Sequence, residues 1–212
     1  MRVIVPYDGR DPKTRLSTLL DRSERNEFSR SMLRDVVSVI QSTGRDPLVL
    51  SSTPLEIEDC SVCVDDRSLS RAVNERLQAS STATAVVMAD LPLITDTALE
   101  RLLTREADVV LARGIGGGTN ALVSRTADFA VDYHGNSYLD HRSTAREIGA
   151  ALAEIDSYRL AMDVDVPDDL VEVLLHGEGH ATQWLRDQGF RLASGPGRTT
   201  VRRTDVTQEP FQ

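Results

Sequence analysis

The chain has 212 residues, 40% of them hydrophobic, and a formal net charge of −9, which suits one domain with a substantial buried core. No run approaches the ~20 apolar residues that cross a bilayer, so no membrane partner is expected. The acidic balance also opposes nucleic-acid binding, which needs a basic patch.

In chain order, residues 2–6 read as an apolar strand, met at once without the n-region and h-region of a secretory signal, so a soluble cytoplasmic protein is expected. A polar loop from Tyr7 to Leu16 follows. Ser23-Glu24-Arg25-Asn26 opens an amphipathic helix whose Phe28, Met32, Leu33, Val36, Val37 and Ile40 recur at helical spacing, and Gly44 closes it. Residues 47–50 form the next strand and Val62 to Val64 a third. Ser68 or Ser70 caps a helix containing Leu69, Val73 and Leu77. Residues 85–89 make a short apolar strand that stops at Asp90, because Pro92 disfavours helix at Leu91 and cannot donate to a sheet ladder. A helix over 96–104 and a strand over 108–112 complete a strand–helix alternation. It predicts an α/β fold, a mainly parallel central sheet with helices on both faces.

Beyond Ala112 the pattern changes. Gly116-Gly117-Gly118 precedes Thr119-Asn120-Ala121-Leu122-Val123, and a helix is expected over about 137–152. Asp163-Val164-Asp165 leads to a helix starting at Pro167. Residues 198–203 can add a last strand. The domain is taken as residues 1–203, with 204–212 a flexible tail.

Four clusters carry chemistry. The first is the loop Asp8-Gly9-Arg10-Asp11-Pro12-Lys13-Thr14-Arg15 after the first strand, where backbone N–H groups and cations can cradle phosphates or simply form a charged loop. Among 24 basic residues only Lys13 is a lysine, which singles it out as a site for a compact ammonium. Such a composition suits a high-GC genome and a salt-adapted cytosol. Asp90 is the second cluster. It stands at a strand end, where open α/β sheets bind ligands, and the alternative is a cap for the helix near Thr95.

The third cluster is Gly116 to Asn120, whose amides can approach a ligand closely or form the tip of a hairpin. Asp163 and Asp165, the fourth, present paired carboxylates suited to a divalent cation that also holds phosphates. Asp168 and Asp169 fit the first turn of the following helix. Other candidates read as structural. Cys60 and Cys63 have no second cysteine pair with which to form a zinc site, and His176 and His180 are separated by glycines. His134 and His141 flank a loop and can line a site through it. Trp184, Leu185 and Phe190 read as core.

At these residues the sequence resembles the 2-phospho-L-lactate guanylyltransferase family, which acts in deazaflavin coenzyme biosynthesis. The likeness covers nearly the whole chain. It rests on Val5-Pro6-Tyr7 with Lys13-Thr14-Arg15-Leu16-Ser17, on Met88-Ala89-Asp90-Leu91-Pro92-Leu93, and on Gly116-Gly117-Gly118-Thr119-Asn120-Ala121-Leu122. It extends through Tyr133 to His141 and Asp163 to Leu170. The glycine-rich start common in the wider superfamily is absent from residues 5–12.

The resemblance implies a glycosyltransferase-A-like nucleotidyltransferase fold and transfer of GMP from GTP to 2-phospho-L-lactate. It makes Asp90, Lys13 and Arg15 the catalytic groups and assigns Mg²⁺ to Asp90 with Asp163 or Asp165. Gly118, Thr119, Asn120, Gly135 and Ser137 would bind the acceptor. Lys13 and Arg15 would neutralise the triphosphate, with Asp66 and Asn74 bordering the base. A homodimer comes from the same source. Alternatives are the same chemistry on phosphoenolpyruvate or 3-phosphoglycerate, a sugar-nucleotide glycosyltransferase using Asp163-Val164-Asp165, and a non-catalytic nucleotide sensor.

Overall fold

The computed structural model describes residues 1–195 and 197–204. Side chains of the first strand, β1 (Arg2–Tyr7), alternate between two apolar layers: Val3, Val5 and Tyr7 enter one and Ile4 the other. A strand buried on both faces belongs in the middle of a sheet covered by helices. Six more strands join it, β2 (Pro47–Ser51), β3 (Ser61–Val64), β4 (Thr84–Val87), β5 (Val109–Arg113), β6 (Thr119–Ser124) and β7 (Leu152–Glu154). Their spatial order is β3-β2-β1-β4-β6-β5-β7. Only β6 runs against its neighbours, pairing antiparallel with β4 and β5; the other pairings in this sheet are parallel. The mainly parallel α/β fold is as expected.

One face is closed by α1 (Arg22–Ser42) and α3 (Asp96–Thr104) through Leu33, Val36, Ile40, Leu99 and Leu102. On the other, α2 (Leu69–Gln78) and α4 (Ser137–Glu147) contribute Ala72, Val73, Leu77 and Ala145. Asp21, not Ser23, caps α1: its carboxylate accepts from the Glu24 N–H while Glu24 reaches back to the Asp21 N–H. The helix expected to run to residue 152 stops at Glu147. Gly149 adopts φ 71, and the Gly149 and Ala150 amides donate back to Arg146 and Ala145, a Schellman ending. The chain then leads into β7, Leu152 to Glu154, beside β5.

A third apolar cluster gathers Leu16, Leu20, Phe28 and Met32 against Leu170, Val173, Leu185 and Phe190. It is built by α6 (Asp169–His176), α7 (His180–Asp187) and the antiparallel pair β8 (Phe190–Ala193) and β9 (Thr200–Arg203), with the short α5 (Tyr158–Ala161) preceding them. α6 begins two residues beyond the expected Pro167, and β9 is the last strand expected. Trp184 packs on Phe28 with ring centroids 5.4 Å apart, a core contact as expected. Buried Asp35 on α1 accepts from the His180 and Ala181 amides at 2.5 and 3.0 Å, which satisfies the start of α7 and docks it. Of the expected tail, residues 205–212 lie outside the described residues.

The topology places the site. β1, β2 and β3 step outward in one direction, and the chain then returns to put β4 on the opposite side of β1. The carboxyl ends of β1 and β4 therefore flank a crevice of the kind where α/β sheets bind ligands. Leu33 is fully buried between α1 and the sheet, so Leu33→Ala should lower unfolding free energy by about 2–5 kcal/mol. Urea titration reads the change as a lower midpoint at an unchanged slope.

Candidate active site at the carboxyl ends of the strands

Lys13 stands at the centre of the crevice. Its backbone is left-handed, φ 54 and ψ 42, and its carbonyl accepts from Leu16 N–H at 2.9 Å to begin a single 3₁₀ turn over Thr14–Leu16. Left-handed backbone is uncommon for a residue with a side chain and persists only where surroundings enforce it. Arg25, on the apolar stripe of α1, supplies that enforcement. Its buried guanidinium donates to the Pro12 carbonyl at 3.2 Å and to the Asp11 carboxylate at 2.7 Å.

The Lys13 ammonium lies 2.6 Å from Asp90 Oδ2 and 3.0 Å from Asp165 Oδ1. Burial alone would push its pKa down, but the two carboxylates outweigh burial and hold it above the ordinary lysine value. Arg15 is largely exposed and donates to the other oxygen of Asp165 at 2.9 Å. Asp90 does not cap α3. Thr95 does so, accepting from the Ala98 N–H at 3.3 Å. Instead, the Asp90 carbonyl accepts from Val164 N–H at 3.1 Å, which stitches the Asp163-Val164-Asp165 segment to the end of β4. The three expected aspartates are thus brought together.

Val164 is buried in the third cluster, so Asp163 and Asp165 fall on the opposite side of an extended segment. Asp169 accepts from the Asp165 and Val166 amides at 2.7 and 2.8 Å, fixing the segment from the other end. Asn120 holds Asp163. Its buried amide nitrogen donates to Asp163 Oδ1 at 3.0 Å and to the Leu160 and Ala161 carbonyls, both at 3.1 Å. Burial pushes the Asp163 carboxyl above its usual pKa; the Asn120 bond opposes this, and Asp90 and Asp165 add to it.

The donor set is hard carboxylate oxygen with negative charge in excess at Asp163, and that chemistry fits a divalent cation. Among the described residues no three His, Cys, Asp or Glu form a ready cage. The cation standing between Asp90 and Asp165 is Lys13.

Next to this centre, a cleft of about 460 Å³ is lined by Tyr7, Arg10, Lys13, Ser52, Arg67 and Asp90, among others. Arg10 belongs to the loop expected to meet phosphates, whereas Arg67 lies outside the expected clusters. Arg67 grips Asp65, also in the lining, and holds its carboxyl down at about 2. Asp66 is exposed, and its carbonyl accepts from Arg10 at 3.1 Å. Asn74 differs from expectation. Both ends of its amide are spent on the Val131 backbone, donating at 2.8 Å and accepting at 2.7 Å, so it ties α2 to the irregular segment ahead of α4.

The remaining expected residues meet at the other side. Gly116 to Gly118 form the tip of the β5–β6 hairpin, closed by Gly114 N–H donating to the Gly118 carbonyl at 2.8 Å. Gly117 has φ 89, and a Cβ there would lie 3.4 Å from the Gly135 carbonyl, so the tip packs against the loop before α4. Thr119 N–H donates to Ser137 Oγ at 3.2 Å, and Tyr138 N–H to the Gly117 carbonyl at 3.2 Å. Gly118, Thr119, Gly135 and Ser137 are therefore neighbours, whereas the Asn120 side chain turns away to Asp163. Of the histidines, exposed His134 pairs with Asp140 and His176 with Glu172, both on the surface. Cys63 accepts from Arg76 at 3.1 Å.

The family model described as "Guanylyl transferase CofC like" matches residues 1–209. The chain is 54% identical over 209 residues to a 2-phospho-L-lactate guanylyltransferase of Haloarcula marismortui, covering 96% of this chain and 99% of the relative. The corresponding protein of Haloferax volcanii is 55% identical over 199 residues, with 93% and 96% covered. Among solved structures, a nucleotidyl transferase from Methanothermobacter thermautotroptrophicus superposes with a TM-score of 0.62 at 16% identity, covering 88% of this chain and 98% of that one. The 2-C-methyl-D-erythritol 4-phosphate cytidylyltransferase of Thermus thermophilus gives 0.52 at 14% identity, covering 87% and 98%. At such identity the likeness is one of fold.

Two substitutions follow from the geometry. Asp163→Asn keeps the acceptor oxygen facing Asn120 and removes a disfavoured charge, so its Tm should rise, by about 2–4 °C for each kcal/mol relieved. A lower Tm by calorimetry contradicts that balance. Asn74→Ala should cost about 1–3 kcal/mol in chemical denaturation by leaving Val131 backbone groups unpaired.

Proposed function

The chain belongs to the CofC-like guanylyl transferase family, and on that premise we propose that it transfers GMP from GTP to 2-phospho-L-lactate, releasing pyrophosphate and forming lactyl-2-diphospho-5′-guanosine. The observation that carries this reading is the convergence on Asp90 of a cationic loop from one side and the acceptor-side hairpin, through Asn120 and Asp163, from the other.

An oxygen of the acceptor phosphate attacks the α-phosphorus in line, the P–O bond to the β-phosphate breaks, and pyrophosphate leaves with that electron pair. A phosphate monoester already presents a nucleophilic oxygen at neutral pH, so no general base is needed. The obstacle is charge: two polyanions must meet. Catalysis is then positioning and neutralisation. Lys13, Arg10 and Arg67 supply cations along the cleft, with Arg15 bonded to Asp165 and the Asp66 carbonyl accepting from Arg10. Nucleotide occupies this cleft in our reading. Gly118, Thr119, Gly135 and Ser137 receive the carboxylate and phosphate of the acceptor, and Asn120 keeps Asp163 in place.

Asp90 with Asp163, and Asp165 beside them, are the residues that would hold Mg²⁺. When bound, that ion neutralises phosphate charge and orients the two reactants. The reading also takes the protein to be a cytoplasmic homodimer.

Asp90→Asn should abolish pyrophosphate release from GTP and 2-phospho-L-lactate while leaving the far-ultraviolet circular dichroism unchanged; turnover at the wild-type rate refutes the assignment. Lys13→Ala should raise KM for GTP or lower kcat by more than tenfold. Running GTP, ATP and CTP against 2-phospho-L-lactate, phosphoenolpyruvate and 3-phosphoglycerate identifies donor and acceptor in the same assay. Preference for another acid overturns the acceptor and leaves the nucleotidyl transfer standing.

A further inference from the structure

His141, on α4, is buried and touches no part of the nucleotide cleft, yet both of its ring nitrogens are committed. Nε2 lies 2.9 Å from the backbone nitrogen of Asp132, and Nδ1 lies 2.8 Å from Thr119 Oγ1. A backbone amide can only donate, so Nε2 accepts and carries no proton. In the neutral ring the proton is therefore on Nδ1, and it points at the Thr119 hydroxyl. The ring is held edge-on to Tyr133 and Phe129, with centroids 5.3 and 6.0 Å away, so it cannot readily turn over. Burial pushes its pKa down to about 4; the carboxylates of Asp132 and Asp140 oppose this and His134 assists it. Near neutral pH the ring stays uncharged.

The consequence falls on Thr119. Because its oxygen accepts from His141, its hydroxyl hydrogen must point elsewhere, and among the described residues no acceptor for it is found. Ser137 stands in the same position. Its oxygen accepts the Thr119 amide, and its own hydrogen is likewise without an acceptor among the described residues. Two adjacent, nearly buried hydroxyls are thus left with unspent hydrogens where the β5–β6 hairpin meets the loop before α4. Donors without acceptors are unfavourable inside a protein, and an anionic oxygen would satisfy them.

We propose that His141 is a positioning residue that fixes the Thr119 hydroxyl as a hydrogen-bond donor to the anionic acceptor, with Ser137 donating beside it. This rests on the acceptor-binding reading of Thr119 and Ser137 given above. His141 itself neither touches the acceptor nor exchanges a proton during the reaction. Its contribution is directional: with the other tautomer, Thr119 would donate to the ring and turn only lone pairs to an anion.

The two side-chain amides separate this role from simple packing. The nitrogen of Asn takes the place of Nδ1 and can still donate to Thr119. In Gln the amide lies at the position of Nε2, where its oxygen can accept the Asp132 N–H but nothing donates to Thr119. His141→Gln should raise both KM and the calorimetric Kd for 2-phospho-L-lactate at least tenfold, with KM for GTP within twofold of wild type. His141→Asn should stay within about threefold on all of these. In wild type, ¹⁵N spectra of the histidine ring should show a protonated Nδ1 and an unprotonated Nε2 at neutral pH. That measurement decides the tautomer even if a variant does not fold.

A protonated Nε2, or equal acceptor affinities for the Gln variant and wild type, overturns the proposal. A wild-type enzyme that neither binds nor turns over 2-phospho-L-lactate, yet shows the Nδ1–H tautomer, overturns instead the acceptor reading on which it rests.

Discussion

Everything at this site depends on one buried ammonium between two carboxylates. The nitrogen of Lys13 is 2.6 Å from Asp90 and 3.0 Å from Asp165, and those partners come from widely separated parts of the chain. An ammonium removed from water is costly unless it is paired, and so is an unpaired carboxylate. The three groups therefore constrain one another. The loop after β1 must adopt a left-handed backbone at Lys13, the end of β4 must present Asp90, and Val164 must bond back to the Asp90 carbonyl. Arg25 and Asp169 complete the arrangement by pinning the two loops from outside.

The use of lysine in this place has a physical reason. Every other basic residue is arginine. A guanidinium is planar and presents a fork, well matched to a single carboxylate, as Arg45 is to Glu100 and Arg67 to Asp65. A compact ammonium has three donors in no fixed plane and can serve two carboxylates on different sides. On the proposed function, its flexible stem would also let it exchange those partners for phosphate oxygens without rebuilding the loop.

Much of this is legible in the sequence alone. The strand–helix alternation fixed the fold class, and the abrupt stop at Pro92 located Asp90. The rarity of lysine pointed to Lys13. Other features were hidden for identifiable reasons. β7 is missed because its three residues, Leu152 to Glu154, are too few to show an alternation, and the helix is expected to run on past Gly149, where a left-handed turn held by two backbone bonds ends it. Asn74 and Asn120 look alike in sequence as polar residues near motifs. Only tertiary contacts reveal that one is tied to Val131 and the other to Asp163. Arg25 did leave a trace, since it lies in register with Phe28 and Met32 on the apolar stripe of α1. A charge on such a stripe needs buried acceptors, and here they are the carbonyls and carboxylate of the Lys13 loop.

The antiparallel course of β6 within the seven-stranded sheet has a wider meaning. Because β6 runs opposite to β4, its first residues lie at the same edge of the sheet as the last residues of β4. The crevice is thereby assembled from two separable stretches of chain. In the proposed function, residues up to Asp90 frame the nucleotide side, and the hairpin tip with the loop before α4 frames the acceptor side. Asn120 fastens them together: its carbonyl accepts from Met88 N–H at 2.9 Å, and its amide holds Asp163. On the proposed function, such a division would let one half stay committed to a nucleoside triphosphate while substitutions in the hairpin and its facing loop alter the choice of small phosphorylated acid.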